Sequence, residues 1–223
     1  MQKKEREKTQ IMQGTRGIRT AFMLLGIMLI GLCVTCYRLS EFGVDPFSGM
    51  NLGISGFIGW SFGNWQLVMN IFILIGVYFT VRHCIGPGTI INMIGVGYTA
   101  DFMCFVVLDV LKVEMTMPLR ILALCLGTLF ASLGVALYMI ADMGIAPYDS
   151  VALIIEKMTR GKIPFHMARV LSDVTVTVIG VAFCLVAGND VWSIVGLGTI
   201  ANALLNGPLI QFFKTRINRK VVF

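Results

Sequence analysis

The stretch "IGPGTIINMIGVGYTADFM", Ile85 to Met103, decides how the chain is read. It has the length of a membrane helix, yet it carries four glycines, an Asn, two Thr and an Asp. The chain says nearly the same thing 110 residues later, as "VGLGTIANALLNGPLIQFF", Val195 to Phe213. Seven of the nineteen positions are identical, among them Gly88/Gly198, Thr89/Thr199 and Asn92/Asn202. Small residues let helix backbones approach closely inside a membrane, and Asn or Thr bond across helices. Residues kept twice at the same spacing therefore point to one packing surface used twice.

The match extends outward from this stretch. At an offset of 101, Arg19/Arg120, Gly26/Gly127, Tyr37/Tyr138, Gly43/Gly144 and Pro46/Pro147 coincide. Residues 19–111 and 120–214 thus read as two copies of one unit: span, short Pro-started helix, span, span. Basic tails at 1–18 and 215–223 flank them. Three spans per copy is an odd number, so the second copy is expected upside down relative to the first. Inverted repeats are a recurrent plan for secondary transporters, with the solute site at the repeat interface. Gly88, Asn92, Gly198 and Asn202 are expected to form a pseudo-symmetric centre.

Composition agrees with a membrane chain. Of 223 residues, 57% are hydrophobic and 13% charged, where a soluble domain carries about 25% charge. A spanning helix needs ~20 largely apolar residues. Six segments qualify, near 20–38, 64–82, 86–108, 119–140, 166–187 and 192–213. Fourteen Lys and Arg fall in the two tails and the 2–3 and 4–5 loops, against three (Arg38, Lys112, Arg120) on the other side. Positive residues collect on the cytoplasmic side, so both termini are expected there. The net charge of +6 is an orientation signal and not a nucleic-acid footprint. Six cysteines lie in or beside apolar segments and read as small hydrophobes rather than a disulfide framework.

Two shorter pieces follow spans one and four, "GVDPFSGMNLGISGFIGWSFG" (43–63) and "GIAPYDSVALIIEKMTRGK" (144–162). Asp45-Pro46 is an N-cap followed by Pro at the first helical position. Ala146-Pro147 keeps the Pro without the cap. Each piece is expected to start a short helix, interfacial or re-entrant.

The "GVDPFS" and "GIAPYD" turns, the "SFGNWQ" start of span two and the "GPGTIIN" and "GLGTIAN" repeats resemble the YczE/YyaS/YitT-type bacterial integral membrane proteins. The resemblance runs from about residue 20 to 213. It implies a multi-pass protein of the bacterial plasma membrane with a transporter-like role, and it supplies no catalytic residues.

Charged residues at membrane depth cost ~2.5–3.5 kcal/mol each on insertion scales, so they are candidates for function. His166, Arg169, Asp173 and Thr177 share one face of span five, and Arg169 and Asp173 stand at i, i+4, where they can pair. This pair is read either as packing or as a solute or coupling-ion site. Gln66 and Asn70 of span two align with Arg169 and Asp173, keeping polarity and losing charge. Asp101 of span three is expected to pair with Arg38 or Arg120, or to carry a proton. Ser48 and Asp149 match in the two Pro-started helices and read foremost as capping residues.

Motifs of metalloproteases, P-loops and serine hydrolases are missing, and no Cys/His cluster has metal-ligand spacing. The chain is expected to be no enzyme and to need no cofactor. Two readings follow: a permease for a small polar or charged solute, or an accessory or solute-binding subunit of a larger membrane complex. The expected partners are the lipid bilayer and an unknown small solute, with a second copy or a partner membrane subunit as further candidates.

Overall fold

The computed structural model describes residues 2–218 and is helical throughout, with no strand among the described residues. Eight α-helices follow in order: α1 Gln2–Ser40, α2 Pro46–Ile58, α3 Phe62–Thr80, α4 Pro87–Phe105, α5 Met117–Ala141, α6 Asp149–Met158, α7 Phe165–Val186 and α8 Leu197–Asn218. Five segments are long and apolar enough to cross a membrane: Arg16–Ser40, Phe62–Thr80, Pro87–Val110, Met117–Ala141 and Met167–Val186. The expected sixth span is not one straight helix. Its two parts, Val191–Ile200 and Leu204–Ile217, meet at 50°. The break lies one turn before Pro208, whose ring crowds the carbonyl four residues earlier and removes a helix hydrogen bond. Tyr98 holds the matching place in α4, and α4 carries no such break.

Local chemistry sets the helix ends. The Asp45 carboxylate accepts from the Ser48 amide at 3.0 Å, and Gly59 at φ 71° closes α2 in the left-handed region. Ser61 caps α3 and Pro87 opens α4. The second Pro-started helix differs from expectation. Pro147 and Tyr148 form a turn, and α6 begins at Asp149. Ala146 has no side-chain acceptor to cap a helix opening at Pro147, whereas Asp45 has one.

The core is built on α1 and α5. Arg19, midway along α1 and near the start of its apolar span, donates from Nε to the Ala141 carbonyl at 2.8 Å and pairs with Asp142, beyond the end of α5. Arg120 at the start of α5 pairs with Glu41, beyond the end of α1. The two helices therefore run antiparallel along their length. Between them sit Met23, Ile27, Val34, Tyr138 and Ala141, joined by Phe62, Val96 and Ala100 from α3 and α4. α4 packs on α1 and α8 on α5; α2 packs on α7 and α6 on α3 and α7. Phe72, Phe79, Val178 and Leu204 stay more than 60% exposed on outer faces, as side chains facing lipid do.

α2 does not lie on the surface. Phe47 to Met50 and Gly53 to Ser55 are buried. Gly53 and Gly180 let α2 and α7 touch backbone to backbone: a Cβ on Gly180 would come within 2.8 Å of the Met50 Cα.

Candidate functional site

The repeated Gly-Thr pair of the opening stretch ties each copy to the other. The Gly88 amide donates to the Met143 carbonyl at 2.8 Å, and the Gly198 amide donates to the Phe42 carbonyl at 2.6 Å. The Thr89 hydroxyl donates to the Ile145 carbonyl at 2.9 Å and accepts from the Gly86 amide at 3.1 Å. The Thr199 hydroxyl donates to the Val44 carbonyl at 2.8 Å and accepts from the Gly196 amide at 3.3 Å. Both target turns carry a positive-φ glycine, Gly43 at 93° and Gly144 at 123°, a conformation costly for other residues.

Just beyond these turns, the "DPFS" and "APYD" segments meet. The rings of Phe47 and Tyr148 stack with centroids 4.5 Å apart. Around Tyr148 lies an ion cluster. Arg169 NH1 donates to Asp149 Oδ1 at 2.6 Å, and its Nε lies 3.3 Å from Asp173 Oδ2. The Tyr148 hydroxyl donates to Asp173 Oδ1 at 2.6 Å. The guanidinium also sits over the Tyr148 ring, 4.8 Å from its centroid. Arg169 is thus held by two carboxylates and an aromatic face, with its side chain 34% exposed. Asp45 completes the cluster: Arg169 attracts its charge and Asp173 repels it. Burial raises the Asp45 carboxyl above its ordinary value, against the opposing pull of Ser48 and Arg169. Burial, reinforced by Asp173, also pushes up the Tyr148 phenol, which keeps it a donor.

Only part of the expected residue set gathers here. Arg169 and Asp173 pair as their spacing implies. Gln66 and Asn70 are buried on α3, 5% and 3% exposed, with no bond to Arg169 or Asp173 among the described residues. α3 packs instead on α4 and α6. The Gln66 Oε1 faces Gly97 on α4 and has no protein hydrogen-bond partner. Asn92 and Asn202 do not meet at a centre, because α4 packs on α1 and α8 on α5. Asn202 accepts from Asn206 at 2.7 Å, and Asn206 accepts from Ser132 of α5 at 2.9 Å. Asp101 pairs with Arg38 at 2.7 Å, not with Arg120, and its other oxygen accepts from the Gly63 amide at 2.6 Å. That arrangement ties α1, α3 and α4 together. Among the described residues, Thr177 bonds within its own helix, at the Asp173 carbonyl. The His166 side chain and the Arg219 and Lys220 part of the C-terminal tail lie outside the described residues.

Sequence reading missed Tyr148 and gave Asp149 a capping role; it is an ion-pair partner instead. The signal was present in the alignment of "DPFS" with "APYD", the two turns whose rings stack.

A family model matches residues 17–215. The chain belongs to the family of unknown function DUF6198. Two relatives from Bacillus subtilis (strain 168) cover most of this DUF6198 chain. One is described as the uncharacterized protein YyaS, 25% identical over 196 residues, which is 87% of this chain and 92% of that one. The other is described as the uncharacterized membrane protein YczE, 22% identical over 196 residues, 87% of this chain and 85% of that one. Both bear out the resemblance read from the turns and repeats. No solved structure matches. With its apolar helices, this DUF6198 protein is a multi-pass helical membrane protein.

Proposed function

We propose that this protein is a permease or secondary transporter for a small polar or charged solute, set in the bacterial plasma membrane with both termini cytoplasmic. One observation carries the reading. The Arg169, Asp149, Asp173 and Tyr148 cluster stands where the matching turns of the two copies meet. Ionisable groups in a membrane chain are expensive, and they mark solute and ion pathways.

The inverted-repeat plan draws support from the antiparallel course of α1 and α5 and from the reciprocal Thr89 and Thr199 bonds. In such folds the site lies at the repeat interface near the midplane. The asymmetry fits a single charged solute site: Gln66 and Asn70 are the uncharged counterparts of Arg169 and Asp173.

The test is solute uptake into proteoliposomes by wild type and Asp173→Asn. Uptake by wild type and its loss in a variant that still melts cooperatively is the expected result. Undiminished uptake by Asp173→Asn would remove the cluster from the pathway. A protein that takes up no solute class and co-purifies with one membrane partner would instead be an accessory subunit.

A further inference from the structure

The cluster around Arg169 reads as an occupied binding site whose occupant is part of the chain. Two carboxylates, Asp149 and Asp173, hold one guanidinium, and a third acid, Asp45, feels the charge of both Arg169 and Asp173. Asp149 and Asp173 carry two negative charges against the one positive charge of Arg169, so the surroundings of Arg169 attract a cation. A free anion approaching Arg169 would meet carboxylates already bonded to it. The shape is specific as well. Asp149 and Asp173 take two different nitrogens of the guanidinium, NH1 at 2.6 Å and Nε at 3.3 Å. The Tyr148 ring lies against its plane, and Phe47 backs that ring. A planar, delocalised cation with several N–H donors fits a fork of carboxylates over an aromatic face. A metal ion does not: among the described residues no three His, Cys, Asp or Glu side chains converge to hold one.

Building on the permease reading, we propose that the solute is a guanidinium-bearing organic cation, and that Arg169 is its tethered stand-in. When the solute binds, its guanidinium takes Asp149, Asp173 and the Tyr148 face, and Arg169 swings out. Its side chain is already one-third exposed. In the empty protein Arg169 refills the cage, so two neighbouring carboxylates never stand side by side unpaired, where like charges repel.

The experiment measures melting shifts of the purified full chain in detergent with methylguanidinium, methylammonium, sodium or acetate at millimolar concentration. Wild type, Arg169→Ala and Arg169→Gln are compared. Methylguanidinium should raise the melting temperature of both variants more than that of wild type, with apparent Kd about tenfold lower because no tethered competitor remains. Methylammonium should do less, and acetate nothing. Adding Asp149→Asn should abolish the gain. Equal or absent shifts in the Arg169 variants overturn the proposal, as does stabilisation of wild type by acetate that the variants lose. Should neither variant fold, wild type decides: a methylguanidinium shift lost in Asp149→Asn supports the cage, and no shift overturns it. Uptake into proteoliposomes separates the two readings. Methylguanidinium bound but never accumulated leaves the cage and removes the permease. Accumulation of an anion without methylguanidinium binding removes the cage and leaves the permease.

Discussion

Phe47 and Tyr148 hold matching places in the DPFS and APYD turns, and they stack on each other with planes 12° apart. In the proposed inverted repeat, equivalent residues touch in this way beside the boundary the two copies share. The stack is symmetric in shape and asymmetric in chemistry. Only Tyr148 carries a hydroxyl, and that hydroxyl reaches Asp173 at 2.6 Å. Tyr148→Phe keeps the stack and deletes the bond. Hydrogen bonds to charged groups are worth ~1.5–3 kcal/mol, so the variant should melt measurably lower. In a double-mutant cycle with Asp173→Asn, the two losses should not add, because they share one interaction.

Close helix approach gives a second prediction. A Cβ at Gly180 would press on the Met50 backbone. Gly180→Ala must push α2 off α7, a packing strain of typically ~1–3 kcal/mol. Gly17→Ala has nothing within 4 Å of the new carbon and lies inside α1. That change should be neutral or gain up to ~1 kcal/mol, the helix advantage of Ala over Gly. Melting curves of the two variants, measured side by side, give the contrast.

The paired threonines should behave alike. Thr89→Val and Thr199→Val each leave a turn carbonyl of the other copy without its donor. Each should cost ~1–3 kcal/mol, the penalty for an unsatisfied buried group. Similar losses in the two single variants are expected; a large loss in one and none in the other would show that the latches are not equivalent.

Asp45 sets a pH dependence. Burial raises its folded-state value, while the unfolded chain titrates near about 3.9. The native state therefore holds this proton longer than the unfolded chain does. The stability it contributes is full below the unfolded value and declines as pH rises through the raised folded value. Asn caps a helix about as well as Asp and does not titrate. Asp45→Asn should melt at or above wild type at neutral pH, and the gap should narrow toward acid. Melting temperatures across that range, with Arg169, Asp173 and Tyr37 unchanged as neighbours, check the sign.

Orientation is open to direct measurement. The fourteen-to-three division of basic residues predicts a cytoplasmic C-terminus under the positive-inside rule. A C-terminal green fluorescent protein fusion should fluoresce, and a C-terminal alkaline phosphatase fusion should be inactive. The opposite pair of results would reverse the topology.

Spans and turns were legible because they depend on local signals: apolar length, Asp-Pro caps, glycines at fixed offsets. The i, i+4 pairing of Arg169 with Asp173 was legible for the same reason, since one helix sets that spacing. What was not legible required knowing which helices pack together. Asn92 and Asn202 looked like a central pair because they repeat, yet α1 and α5 take the centre and leave each Asn on a flank. Asp149 looked like a cap because its nearest chain neighbours are a helix start. Its ion-pair partner Arg169 is twenty residues on, beyond the whole of α6. The bend of α8 was written in Pro208, but helices in membranes tolerate Pro often enough that its presence alone does not fix a break.

The reciprocal bonds of Thr89 and Thr199 also bear on how the chain is made. Ribosomes deliver the first copy before the second exists. Until residues 143–145 emerge, the Gly88 amide and the Thr89 hydroxyl have no carbonyl to meet. The first three spans can be inserted, but they cannot finish packing on their own. Expressed as separate fragments, residues 1–114 and 115–223 should each be degraded, and co-expression should rescue both. Such rescue would show that the halves are assembled in the bilayer as an obligate pair, even though they leave the ribosome as one chain.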